Sequence, residues 1–209
     1  MNNGTSNGWH AIIGSSSIMS LALLGDALLY AVLPAYAEDF GLTLPLVGVM
    51  LSVNRFVRVF AYGILARLTQ TVGVRRMCIV ASIAATASTA MYGLGDGPAI
   101  ILLARVLWGL TYAVLVLATL SYAVEYRSKI GIRVGIGQAI QRLGPILALF
   151  TGAWLVVHYG PKITFLLLAV PTALSLIIAF NLPISRGDVI KRESPPSLVR
   201  PKPIDVIYF

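Results

Sequence analysis

The sequence predicts an all-α, multi-spanning membrane protein with six transmembrane helices. Six apolar stretches, at residues 11–33, 44–66, 77–94, 99–124, 132–157 and 163–182, occupy most of the 209-residue chain, and each approaches or exceeds the roughly 20 residues that a helix needs to cross the hydrocarbon. Only 11% of residues are charged against 57% hydrophobic, where a soluble domain carries about 25% charged. The charge is also segregated. Of sixteen Lys and Arg, eleven fall in the connections after the second and fourth stretches or behind the sixth, with Arg133 at the edge of the fifth stretch counted in the connection before it, and only Lys162 lies in the alternate connections with Glu38, Asp39 and Asp96.

That asymmetry places both termini and the basic connections in the cytoplasm by the positive-inside rule, in a protein of the cell membrane. The net charge of +8 is thus a topology signal, and a nucleic-acid partner is not expected. The chain divides into a cytoplasmic N-terminus (1–10), the six-span region (11–183) and a basic, proline-broken cytoplasmic tail (184–209) that ends in the apolar run IDVIYF. That run reads as the onset of a seventh helix.

The first stretch follows MNNGTSNGWH, which has no Lys or Arg. It therefore lacks the basic n-region of a cleaved signal and reads as a retained helix, with Asp26 in its interior. The second stretch carries Asn54, Arg55 and Arg58, which the sequence places together toward a polar cavity. The third has no charge, and its small residues Ala81, Ala85, Thr89 and Gly93 recur every fourth position, a pattern for close helix approach. The fourth holds Arg105, Trp108 and Tyr112, and the fifth holds Gln138, Gln141 and Arg142. The sixth, like the third, is charge-free, so both are expected on the outside of the bundle.

A charge at mid-membrane costs several kcal/mol even on lenient scales, so spans one, two, four and five must turn their charges to each other or to water. Depth follows from the helical rise. Asp26 lies eight residues before Pro34, about 12 Å, and Arg105 seven after Pro98, about 10 Å. The two are nearly level. Arg55 is about 16 Å deep, and its long side chain is able to reach the same layer; Arg142 belongs to the inner half. In the fifth stretch Pro145 removes one backbone hydrogen bond beside Gly144, so a bend is expected there, with or without a role in switching.

Two readings of the charges stay open. Asp26 either neutralises Arg105 or Arg55 to fix helix register, or it exchanges a proton as the cavity opens to each side, desolvation and an approaching guanidinium acting on it in opposite senses. The excess of arginine over carboxylate points to an anionic or polar group on a small-molecule substrate. No nucleotide-binding glycine loop or metal-ligand set is present in the sequence, and neither a cofactor nor an enzymatic reaction is expected. Cys78 is the only cysteine, which rules out an intrachain disulfide.

These residues resemble the N-terminal six-helix half of a major facilitator superfamily transporter. LGDALLYAVLPAYAEDFGL is similar to that family's first helix and exit, and VGVMLSVNRFVR to the start of its second. GILARLTQTVGVRR resembles its loop between helices two and three through Gly63, Gly73, Arg75 and Arg76, but Arg67 stands at the family's aspartate and the loop is three residues longer. RVLWGLTYA matches the fourth-helix motif through Arg105, Gly109 and Ala113, with Trp108 replacing a glutamine. Gly131, Gly144 and Pro145 partly match the glycine-rich motif of antiporters.

The resemblance implies secondary active transport, proton-linked export of a small molecule, with Arg105 engaged in proton transfer. It also implies a twelve-helix fold, of which this chain supplies one half and a C-terminal half or partner subunit supplies the other. A non-transporting membrane module that anchors a complex is the alternative.

Overall fold

A computed structural model describes residues 3–125 and 130–185, with side chains from residue 8 onward. Within these, α1 (Asn3–Ala35), α2 (Leu44–Val72), α3 (Val74–Leu94) and α4 (Pro98–Val124) precede one helical stretch at Ile130–Phe180. At 51 residues that stretch would be about 77 Å long, more than twice the hydrocarbon thickness. It is broken at Gly160, whose φ of 80° and ψ of 166° lie outside the helical region. We therefore number α5 as residues 130–159 and α6 as residues 161–180. The result is six antiparallel spans.

Helix starts show why the breaks fall where they do. Pro45, Pro98 and Pro161 sit in the first turns of α2, α4 and α6, where a missing N–H costs nothing and the fixed φ favours the helix. Gly97 and Gly160 precede the last two with φ of 85° and 80°, a region that residues with a Cβ avoid. All three starts lie at one end of the bundle. This acidic end carries Glu38, Asp39 and Asp96, and a Lys162–Asp96 ion pair ties the α3–α4 turn to the start of α6. The opposite, basic end carries Arg67, Arg75 and Arg76, with Arg75 donating to the Phe180 carbonyl at the close of α6.

The core has two parts. Toward the basic end, Ile12, Met19, Cys78, Trp108, Leu115 and Tyr122 pack together; toward the acidic end, Leu28, Leu33, Phe40, Tyr92, Phe165 and Leu168 do. Asp26 and Arg105 lie where the two parts meet. Small residues set the helix spacing: a Cβ on Gly25 would come within 2.6 Å of Thr89, and one on Gly93 within 2.6 Å of the Lys162 carbonyl. The small-residue row of α3 thus packs against α1 and α6, and α3 is half buried, whereas α2 is the least buried span. The expectation that α3 lies outermost is corrected in that respect.

Three further expectations change. Residues 3–10, read from sequence as a terminus outside the first span, continue α1. The supposed loop between the second and third spans is also helix: α2 runs to Val72 and Gly73 alone makes the turn, with φ of 100°. Its N–H bonds to the Thr69 carbonyl and its carbonyl accepts from Met77 N–H, so one residue closes α2 and opens α3. Finally, backbone dihedrals stay helical through Gly144 and Pro145, and Gly160 is the interior residue that leaves them. Residues 126–129 and 186–209, including Arg127, Lys129, the basic tail and IDVIYF, lie outside the described residues.

Candidate functional site: a buried ion pair above a basic cleft

Arg105 organises the middle of the bundle. Fully buried, it meets Asp26 of α1 through Nη1 at 2.5 Å. Its Nε donates to the Met50 carbonyl at 3.0 Å, and Nη2 donates to the Leu51 carbonyl at 3.2 Å and to the Tyr30 hydroxyl at 3.1 Å. One guanidinium thereby joins α1, α2 and α4. The carbonyls it uses belong to helical residues, whose oxygens keep a second lone pair for such a donor. No lysine has the forked geometry to reach them all.

The reach from α4 to α2 depends on Gly109, one turn further along. A Cβ there would stand 2.9 Å from the Asn54 carbonyl and 3.1 Å from Val57. The Arg105, Gly109 spacing is therefore mechanical: the glycine draws α2 close enough for the arginine to bond its backbone.

Below this layer, toward the basic end, the Arg58 guanidinium lies over the Tyr112 ring at 4.0 Å, and its Nε donates to the Asn54 carbonyl at 3.1 Å. Tyr112 in turn meets Trp108 edge-on at 6.2 Å. Among the described residues, Asn54 is fully buried with both side-chain amide atoms unpartnered, and the Trp108 indole, which faces Asp26, is buried with its N–H outside hydrogen-bonding geometry. Such groups are costly to leave dry.

Further toward the basic end, α1, α4 and α5 enclose a cleft of about 240 Å³. Arg133, Gln138, Gln141 and Arg142 line it from α5, Tyr112 and Thr119 from α4, and Met19 and Leu23 from α1. The guanidinium of Arg133 lies 5.5 Å from the centre of the Trp9 ring. Gly144 permits this meeting of α5 and α1: its N–H donates to Ser20 Oγ at 2.8 Å, and a Cβ would fall 1.9 Å from the Ser20 carbonyl.

The sequence-derived residues are thus sorted by the fold. Asp26, Arg105, Tyr112, Trp108, Asn54 and Arg58 come together, and Gln138, Gln141 and Arg142 share the cleft with Tyr112. Arg55 does not join them. It is exposed on α2 and makes no ion pair with Asp26, because one helical residue is a 100° turn and the Asn54, Arg58 face is the one against α4. Gly63 and Arg67 are exposed on the basic half of α2, with open space around Gly63, while Gly73 and Arg75 serve the helix ends and Arg76 is exposed. Arg133 was missed: counted with a basic connection, it is a buried side chain of α5. Only its position at the edge of the fifth stretch hinted at this.

Comparison with known families agrees with this architecture. Residues 16–205 match the family model described as Major Facilitator Superfamily. The chain belongs to this superfamily. A search of curated proteins finds no match to the chain. As a major facilitator superfamily member it is a membrane transporter, and its membrane-spanning helices make it an integral membrane protein.

Proposed function

We propose that this chain forms one wall of a transport cavity in the cell membrane and contributes to proton-coupled export of a small molecule, with Asp26 as the proton carrier. One observation carries the reading: Asp26 is the single carboxylate within the interior of the described spans, and it is held by an arginine of α4 that also binds the backbone of α2 and Tyr30 of α1. Protonation of Asp26 would remove its charge and leave Arg105 bonded to α2 through the Met50 and Leu51 carbonyls and to α1 only through the neutral Tyr30 hydroxyl. The contact between α1 and the α2–α4 pair would then weaken, which ties a proton to a shift of helices.

Export rather than import rests on the partial likeness of Gly131, Gly144 and Pro145 to the antiporter motif. Orientation rests on the positive-inside rule, which puts the basic end in the cytoplasm. The cleft lies in that half of the bundle. The exposed apolar faces of α2 and α5, with Phe56, Phe60, Leu143 and Phe150, flank the exposed Arg55, Gln138 and Arg142, and we assign this mixed face to the side of the cavity that a second six-helix unit closes over, its apolar groups in contact and the cleft residues Gln138 and Arg142 left facing the enclosed space. Lipid would cover the apolar groups and strand the charges.

Asp26→Asn in proteoliposomes tests the coupling. Substrate flux driven by a pH gradient should fall to background, while exchange without a gradient continues. Unchanged gradient-driven flux in the Asn variant would rule out Asp26 as carrier.

A further inference from the structure

We infer that the α1–α4–α5 cleft is an anion site, and that the transported molecule, or the part of it held there, carries a carboxylate or phosphate. This deepens the transport reading and rests on it for the word transported; the binding chemistry stands on the cleft itself. Two guanidiniums, Arg133 and Arg142, line the cleft, and none of its described lining residues is acidic. Gln138 and Gln141 add amide donors, and Thr119 and Tyr112 add hydroxyls. A concave, partly apolar wall with a few convergent polar groups is the usual form of a small-molecule site.

The placement of the charges separates this cleft from an ordinary cytoplasmic fringe of basic residues. Arg133 is 2% exposed, and the Trp9 ring faces its guanidinium, which fixes the side chain in place before any ligand arrives. Arg142 stands two and a half turns further along α5 and is exposed, free to close on a ligand. Gly137, between them, leaves the wall low; a Cβ there would lie 2.9 Å from Ser16 Oγ, a buried hydroxyl with no partner among the described residues. Met19, Leu23, Val116 and Pro145 supply the apolar side. At about 240 Å³ the space is small for a drug-sized ligand, so it suits a compact anion or the anionic head of a longer molecule.

The same chemistry is offered by a soluble organic anion and by an anionic lipid head group. The test uses the full chain in nanodiscs without a proton gradient, so that it is read apart from the Asp26 flux experiment. Benzoate and phenyl phosphate are titrated against benzylammonium and benzyl alcohol, which keep the ring and change the charge. The two anions should bind and the cation and neutral probe should not. Arg142→Gln and Gln138→Glu, both at exposed positions that tolerate change without unfolding, should each weaken anion binding about tenfold or more, the scale of one charge-assisted hydrogen bond. Competition by phosphatidylglycerol in the nanodisc would assign the anion to lipid, and its absence would assign it to a soluble ligand. Binding of benzylammonium equal to that of benzoate, failure of either anion to bind, or full anion affinity in both variants would overturn the inference.

Discussion

At the scale of residues, the Asp26–Arg105 pair decides the electrostatics of the bundle. Removing one member of a buried pair leaves the other as an uncompensated charge, at a cost of about 3–5 kcal/mol. Arg105→Met should therefore lower thermal stability in detergent sharply, and adding Asp26→Asn to it should restore part of the loss, because the stranded carboxylate is gone. A double variant no more stable than Arg105→Met would show that the hydrogen bonds to Met50 and Leu51, and not the charge pair, hold the three helices. Depth narrowed the partner of Asp26 to Arg105 or Arg55, since both reach nearly its level, and the structure selects Arg105. Arg55 was misplaced because depth does not give azimuth. Arg133 was missed because it falls at a helix start, where sequence cannot distinguish a loop residue from a first-turn residue that turns inward under Trp9.

At the scale of elements, glycines set which helices meet. Gly144→Ala would push a methyl to 1.9 Å from the Ser20 carbonyl, and the obstacle is backbone, which cannot rotate away. We expect separation of α5 from α1 and a loss of about 1–3 kcal/mol or more, the usual cost of overpacking, read as a lowered melting temperature. Gly63→Ala, with open space around it in a helix interior that favours alanine, should not lower that temperature and serves as the control. Gly73→Ala acts differently, through a φ of 100° that strains any other residue by about 1–3 kcal/mol; a wild-type melting temperature in that variant would show that the α2–α3 turn has another conformation open to it. The proline-led starts of α2, α4 and α6 were readable, because Gly-Pro and Thr-Leu-Pro are local signals. The close approach of Gly144 was not. Its partner Ser20 is 124 residues away, and a proline beside a glycine looks the same whether it bends a helix or seats it on a neighbour.

At the scale of the whole molecule, the segregation of charge predicts a topology that labelling will check. Cys78, the only cysteine of the chain, is buried, so the native background for thiol reagents is low. Asp96→Cys should react with a membrane-impermeant maleimide added outside intact cells, and Arg76→Cys should react only after the membrane is opened. The reverse pattern would invert the assignment of both ends.

The sequence by itself determined the number of spans and the level of the charges within them, because hydrophobic length and helical rise are one-dimensional quantities; the proposed direction through the membrane rests on positive-inside bias, which is one-dimensional too. Only the tertiary structure decided which face of each helix meets which neighbour. That choice brought Arg105 to the backbone of α2, excluded Arg55 and turned Arg133 into the cleft. The reason is geometric: rotation about a helix axis is set by contacts between residues far apart in the chain, and at Gly109 and Gly144 those contacts depend on the absence of a single methyl group.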